Sequence, residues 1–185
     1  MRAVTAEARS IIEGRETDLL RIGAEHVPFL AQVDLRVDLA DVGGSPIALP
    51  IEPNTVTEGG DRAALWLGPD EWLILGPPAT APTIVRELDA ALAPALRSVV
   101  DVSANRVAIE LVAPDRLELL SYVCPLDLDA PAWQTGRCAQ TLLGAAQVIL
   151  HERASSTGIL ARPSFASYVI DLLLAAREAS GGMRA

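Results

Sequence analysis

Apolar and polar residues alternate along several short segments of the chain, a pattern typical of β-strands with one buried face. Within residues 31–38, for example, Val33, Leu35 and Val37 share one face. The segments with such a pattern, or with a compact apolar run, are 31–38, 62–67, 71–75, 105–112, 138–143 and 147–151. The chain is therefore expected to form antiparallel sheet.

Turn residues join two pairs of these segments. Gly68, Pro69 and Asp70 separate two apolar runs, and glycine, proline and aspartate each favour turn conformations, so the flanking runs are predicted to form a hairpin. The last two segments, connected through Gly144, are predicted to pair in the same way.

Apolar residues at helical spacing predict three amphipathic helices. One begins near Pro82 and is closed by Pro94, a second begins at Pro114, and the third is capped by Ser164 and ends before Gly181. We expect the buried face of the third helix to carry Phe165, Tyr168, Val169, Leu172, Leu173 and Ala176. Residues 5–22 read as weakly helical.

These elements follow one order in two parts of the chain: a strand, a connection, a strand pair and a helix. We infer a degenerate internal duplication with halves at residues 27–96 and 97–178, preceded by a helical or mobile segment at 1–26 and followed by a mobile tail at 179–185. The predicted fold class is α+β, with antiparallel sheet covered by helices on one face.

The composition is that of a globular protein with a substantial core, because 50% of the 185 residues are hydrophobic. A formal net charge of -9 disfavours binding to nucleic-acid phosphates. No apolar run approaches the roughly 20 residues needed to cross a bilayer, and the first residues lack the apolar core of a signal peptide. We therefore expect a soluble, cytoplasmic protein that binds neither nucleic acid nor membrane.

Several kinds of chemistry are unsupported by the residue types. The sequence contains no lysine, which excludes Schiff-base and P-loop chemistry. His26 and His151 lie far apart without ligand spacing, so no metal site is expected, and His151 is predicted to place its polar tip at the surface. Cys124 and Cys138 are not in a Cys-x-x-Cys arrangement and are read as reduced, buried thiols.

Three residues are candidates for a binding role. Trp66 and Trp72 flank the predicted turn on one face of the hairpin, where they could pack in the core, stack on a pterin or contact a partner chain. Asp101 lies among β-branched residues, where it could be a buried carboxylate with a perturbed pKa or could cap the following turn. The sequence leaves these alternatives open.

A series of motifs in fixed order carries a family resemblance. The series comprises PFLAQVDLRV at 28–37, PNTV at 53–56, LWLGPDEWL at 65–73, VDVSANR at 100–106, CPLDL at 124–128, GRCAQTLL at 136–143 and RPSF at 162–165. It resembles the gamma subunit of heterotetrameric sarcosine oxidase over about residues 27 to 177. The Asp-Val-Ser strand at Asp101 and the hairpin at 138–150 are also similar to the folate-binding aminomethyltransferase fold.

The resemblance implies a subunit of a four-chain flavoenzyme that oxidatively demethylates sarcosine. Such an enzyme uses oxygen and tetrahydrofolate to give glycine, hydrogen peroxide and methylenetetrahydrofolate. The resemblance further implies that FAD, FMN, NAD and tetrahydrofolate belong to the alpha, beta and delta partner chains. The gamma chain would be non-catalytic and would support assembly.

Other functions remain open at this point. One alternative is a stand-alone folate-binding or aminomethyltransferase-like protein, with Asp101, Trp66 and Trp72 facing the folate. Another is a scaffold for a different amine-oxidising flavoenzyme. The related iron-sulfur repair proteins carry a reactive cysteine in a Lys-Gly-Cys-Tyr-x-Gly-Gln-Glu motif, but the sequence around Cys138 lacks the lysine and the glutamate, so Cys138 is not expected to share that role.

Overall fold

The computed structural model of the protein describes residues 9–183, in which groups of strands are separated by helices. The strands are β1 (Ala24–Val27), β2 (Ala31–Val37), β3 (Val56–Gly59), β4 (Arg62–Gly68), β5 (Glu71–Gly76), β6 (Arg97–Asp101), β7 (Val107–Leu111), β8 (Cys138–Leu143), β9 (Ala146–Glu152) and β10 (Thr157–Ala161). The α-helices are α1 (Glu16–Ile22), α2 (Ala81–Ala91), α3 (Arg116–Ser121) and α4 (Pro163–Met183). A short 3-10 helix spans Leu39–Gly44.

The strands form two five-stranded antiparallel sheets built on one plan. The first sheet has the order β3-β4-β5-β2-β6, and the second has the order β8-β9-β10-β7-β1. In the first sheet the meander β3-β4-β5 lies beside β2, and β6 forms the far edge. In the second sheet the meander β8-β9-β10 lies beside β7, and β1 forms the far edge. The predicted α+β class with two degenerate, helix-covered halves is confirmed.

The two edge strands connect each sheet to the other. β1 pairs with β7 of the second sheet and then leads directly into β2 of the first. β6 pairs with β2 of the first sheet and then leads directly into β7 of the second. The division of the chain at residues 27 and 97 stays a prediction, and strand pairing crosses both boundaries.

The sheets pack face to face, and helices cover both outer faces. Ile84 and Leu88 of α2 pack on the outer face of the first sheet. Helices α1, α3 and α4 cover the second sheet. Between the sheets, alternate residues of both meet in an apolar layer, as Leu65 and Leu73 do with Ile149. Strands β5, β9 and β10 thus bury both faces, which explains their nearly continuous apolar sequences.

The predicted hairpin at Gly68 is confirmed as β4 and β5, with Trp66 opposite Trp72. The predicted pair around Gly144 is confirmed as β8 and β9. Gly144 has a φ of +55°, and an added Cβ would lie 2.3 Å from the Tyr168 hydroxyl, so both its conformation and its surroundings require glycine. The helices predicted at Pro82 and Pro114 correspond to α2 and α3.

The prediction for the last helix was wrong at both ends. It begins at Pro163, which suits the first helical position, so Ser164 lies inside the helix rather than capping it. It also continues through Gly181 to Met183. Val169, Leu173 and Ala176 are buried as predicted, but Phe165 and Tyr168 are 39% and 38% exposed. Ala166 and Ile170 complete the buried face.

Within the described part of the predicted helical segment at 5–22, the α-helix spans the last residues only. α1 begins at Glu16, after Gly14, whose φ of +91° interrupts the helix. Residues 1–8 of the predicted N-terminal segment and residues 184–185 of the predicted tail lie outside the described residues. Within residues 9–183, no helix is both long and apolar enough to cross a membrane.

Candidate functional site

Asp101 lies at the end of β6, where the chain crosses from the first sheet to the second. Its Oδ1 accepts hydrogen bonds from the Ser103 backbone N–H at 3.0 Å and from the Ser103 hydroxyl at 2.6 Å. Its side chain is exposed. The carboxylate therefore caps the turn into the crossover, which is the capping arrangement considered from the sequence, although the cap acts at Ser103 rather than at the residues that follow it.

Gln32 joins the two chain crossovers at the centre of the molecule. Its backbone N–H donates to the Ser103 hydroxyl at 3.0 Å, and its carbonyl accepts from the Val102 N–H at 2.8 Å. Its side-chain amide donates to the Arg106 carbonyl at 2.9 Å. Because Gln32 is buried, these bonds fix the segment between β6 and β7 against β2.

A cavity of about 260 Å³ opens beside the segment that connects β6 to β7. Its lining combines the exposed ring of Phe29 with His26, Ser103 and Arg106. The His26 Nε2 and the Ser10 hydroxyl are hydrogen-bonded at 3.1 Å, which holds the segment before α1 at the cavity wall. Burial lowers the pKa of His26, and the nearby Glu16 carboxylate offsets part of that effect.

Trp66 and Trp72 lie on the same face of the hairpin, as predicted, and that face packs under α2. Trp72 is 0% exposed, and its indole N–H donates to the Pro50 carbonyl at 2.8 Å. Trp66 is half-buried against the same cluster. The structure thus places both indoles in or against the core, and neither they nor Asp101 line the cavity at His26 and Phe29.

Cys138 is a buried thiol between the two sheets. Its Sγ lies 3.3 Å from the Thr55 carbonyl and 3.5 Å from the Trp66 carbonyl, both of which can accept its hydrogen bond. Burial raises the pKa of Cys138 to about 11, with the Trp66 contact and the Arg137 charge acting in the opposite direction. The thiol is therefore protonated and shielded at neutral pH, in agreement with the predicted unreactive role.

The predicted surface position of His151 was wrong. His151 is 2% exposed and lies on the inner face of the second sheet, opposite Gly158 on one neighbouring strand and Cys138 on the other. An added Cβ at Gly158 would lie 1.9 Å from the His151 Nε2, so the glycine makes room for the ring. Burial, together with a smaller effect of the Arg153 charge, lowers the pKa of His151 to about 3.

A buried ionic cluster centred on Glu152 was not predicted. Its carboxylate accepts hydrogen bonds from Arg116 at 2.5 Å, from the Trp133 indole at 3.0 Å and from the Thr157 hydroxyl at 2.5 Å. The cluster ties α3 and the loop at Trp133 to the end of β9. A glutamate at the end of an apolar strand was the available signal, but its partners Arg116 and Trp133 are remote in sequence.

A second cavity of about 360 Å³ is lined by Arg106 and Arg162, which lie close together at one end of the second sheet. In the sequence these two arginines stood out only as members of the family motifs. No signal in the sequence brings them together, because 55 residues separate them. Within residues 9–183, no three His, Cys, Asp or Glu side chains are grouped so that they could hold a metal ion.

The arrangement of two helix-covered antiparallel sheets defines the class of fold to which the protein belongs. The structure superposes on the aminomethyltransferase of the glycine cleavage system from Bartonella henselae with a TM-score of 0.63 and 12% identity. That similarity covers 85% of this chain but 48% of the aminomethyltransferase. The chain therefore has the fold of about half of an aminomethyltransferase.

Sequence comparison identifies the family more narrowly. The profile of the sarcosine oxidase, gamma subunit family matches residues 39–180. The sarcosine oxidase subunit gamma of Arthrobacter sp is 31% identical over 156 residues, which cover 80% of this chain and 76% of that relative. The chain belongs to the sarcosine oxidase gamma subunit family.

A solved structure supports this assignment. A chain of the heterotetrameric sarcosine oxidase from Corynebacterium sp. U-96, in complex with pyrrole 2-carboxylate, matches with a TM-score of 0.83 and 27% identity. The match covers 92% of this chain and 95% of that chain. The family resemblance inferred from the motif series is confirmed.

Proposed function

We propose that this chain is the gamma subunit of a heterotetrameric sarcosine oxidase and supports the assembly of that enzyme. The observation that carries the proposal is the structural match over 92% of this chain to a chain of a heterotetrameric sarcosine oxidase. A fold shared over most of the length of both chains favours an equivalent place in an assembly.

The proposed complex is a flavin-dependent oxidoreductase that acts on the CH–NH bond of sarcosine with oxygen as acceptor. In this proposal the alpha, beta and delta subunits hold FAD, FMN, NAD and tetrahydrofolate, and the reaction yields glycine. The gamma chain is non-catalytic. Two observations support that role: Cys138 is buried with a raised pKa, and His151 is buried with a strongly lowered pKa, so neither is suited to act as a nucleophile or base at neutral pH.

Purification of a tagged copy from its native host tests the assembly role directly. We expect three partner chains by mass spectrometry and a flavin absorbance spectrum in the eluate. A colourless single chain would contradict the proposal. The complex should then be rebuilt with and without this chain, and we expect the rebuilt enzyme to lose stability or assembly without it.

A second experiment separates this role from the folate-binding alternative. A stand-alone folate-binding protein would change its tryptophan fluorescence saturably when folate is added to the isolated chain, and Asp101→Ala would weaken that change. Since Asp101 caps Ser103, Ser103→Ala serves as a matched control for a simple disturbance of the turn. Under our proposal, folate produces no saturable change in the isolated chain.

A further inference from the structure

Arg106 and Arg162 occupy neighbouring positions on two paired strands. Val107 at the start of β7 lies opposite Ala161 at the end of β10, so the residues just outside this pair are Arg106 and Arg162. Two like charges at such positions repel each other. Arg162 indeed lowers the pKa of Arg106, second to the effect of burial.

Neither guanidinium group forms an ion pair with a carboxylate of the described residues. Among residues 9–183, no carboxylate lies within 4.0 Å of Arg106 or Arg162, whereas Arg36, Arg116 and Arg177 each pair with a carboxylate at 2.5 to 2.6 Å. This arrangement is unfavourable for Arg106, which is half-buried. An unpaired cation pair is also unexpected in a chain with a net charge of -9.

The nearest acidic groups are already engaged on the first sheet. Asp34 and Glu71 act on Arg106 only at longer range. Glu71 pairs with Arg36 at 2.6 Å and also interacts with Asp34. Both carboxylates therefore have partners on the first sheet and lie beyond ion-pair distance of Arg106.

The start of α4 adds to the positive charge. α4 begins at Pro163, directly after Arg162, and runs for 21 residues. Its first turn has no acidic residue, so the partial positive charge of the helix N-terminus is not compensated there. The backbone and both side chains thus contribute charge of the same sign to one place.

We propose that Arg106 and Arg162 form a binding site for an oxyanion, either a carboxylate or a phosphate, in the cavity that both arginines line. The planar guanidinium group suits bidentate contacts with either anion. Gln147 and Gln140 line the same cavity. The Gln140 side-chain amide is already bonded to the Leu67 carbonyl at 2.9 Å, which leaves the Gln147 amide as an additional donor.

The anion has two possible sources, an acidic side chain of a partner subunit or a free small anion. Only the first source rests on the proposed function. The site itself follows from the charges and the register of this chain, so it can be tested on the full chain without partners.

The first experiment measures the thermal unfolding midpoint of the full chain as inorganic phosphate or acetate replaces chloride at constant ionic strength. We expect the midpoint to rise saturably, because an anion that binds the folded state stabilises it. Arg106→Gln and Arg162→Gln should each shift half-saturation to roughly tenfold more phosphate. Arg86→Gln is the matched control, since Arg86 is exposed on α2 and forms no ion pair among the described residues.

The midpoint without added anion supplies a second readout. Arg162→Gln removes one of two charges that repel each other. Without added anion, its thermal unfolding midpoint should therefore equal or exceed that of the wild type. An arginine with a purely structural role would instead lower the midpoint when it is replaced, and this result would overturn the proposal. Since Arg162 is exposed, its variant keeps the test valid even if Arg106→Gln does not fold.

The purified complex distinguishes the two sources. If a partner carboxylate fills the site, phosphate has no effect on the complex and Arg162→Glu lowers the yield of complex, whereas Arg86→Glu does not. If the site takes a free anion, the phosphate effect persists in the complex and Arg162→Glu abolishes it. Equal phosphate responses of wild type, Arg106→Gln, Arg162→Gln and Arg86→Gln, together with normal yields of complex, would refute an oxyanion site.

Discussion

Buried His151 should make the stability of the folded chain depend on pH in a defined window. Its pKa falls from the ordinary value of 6.5 to about 3 in the folded state, chiefly because burial disfavours the charged imidazolium. The unfolded chain therefore takes up a proton below pH 6.5 that the folded chain does not bind. Stability contributed by this residue is fully present above that pH and is lost as the pH falls towards the folded pKa.

The size of the effect follows from the two pKa values. Between them, the free energy of unfolding falls by about 1.4 kcal/mol for each pH unit. From about pH 6.5 to about pH 4 this amounts to a loss on the order of 3 kcal/mol, a large fraction of the stability of a small domain. Relaxation around His151 is restricted, because its ring packs directly over Gly158.

Urea unfolding followed by tryptophan fluorescence at several pH values measures this loss, since the chain has 3 tryptophans. We compare wild type with His151→Leu, which fills similar space and also removes the buried Nδ1 that has no partner among the described residues. The variant should lack most of the pH slope.

The other histidine provides the control. His26 is only partly buried, so His26→Gln should keep most of the wild-type slope. Parallel stability curves for wild type and His151→Leu from about pH 7 to about pH 4 would refute the reasoning, because the slope would then come from other groups.

Three further predictions concern the core. Glu152→Ala should destabilise the fold by about 3–5 kcal/mol in urea unfolding, because it leaves the largely buried Arg116 without its ion pair to Glu152; a loss below about 1 kcal/mol would contradict a strong, largely buried ion pair. Gly158→Ala should cost about 1–3 kcal/mol through its clash with His151, and His151→Ala in the same chain should recover part of this cost. Cys138 should not react with iodoacetamide at about pH 8 until the chain is unfolded, and rapid labelling of the folded chain would disprove its shielded position.

Local signals in the sequence predicted the local parts of the fold. The turn at Gly68 and Asp70 and the alternation around it were sufficient to identify β4 and β5, because hairpin pairing depends on residues close in sequence. Proline near the first turn likewise located α2. The end of α4 was not predicted, since glycine disfavours but does not forbid a helix that packs along a sheet.

The arrangement of the site depends on pairings that no local pattern contains. Arg106 and Arg162 become neighbours only because β7 and β10 pair. His151 is buried only because Gly158, on the next strand, leaves room for its ring. The hydrogen bonds of Gln32 to both ends of the crossover likewise join residues about 70 positions apart, which single-sequence patterns do not report.

The position of β1 at the edge of the second sheet has a consequence for how the chain can be divided. A fragment that starts after residue 101 would contain β7, β8, β9 and β10 of the second sheet but not β1. The edge of β7 would then be exposed, and an unpaired sheet edge promotes aggregation. The complementary fragment would carry β1 as an unpaired donor strand. The two pieces should therefore be soluble only when they are produced together, as in donor-strand complementation.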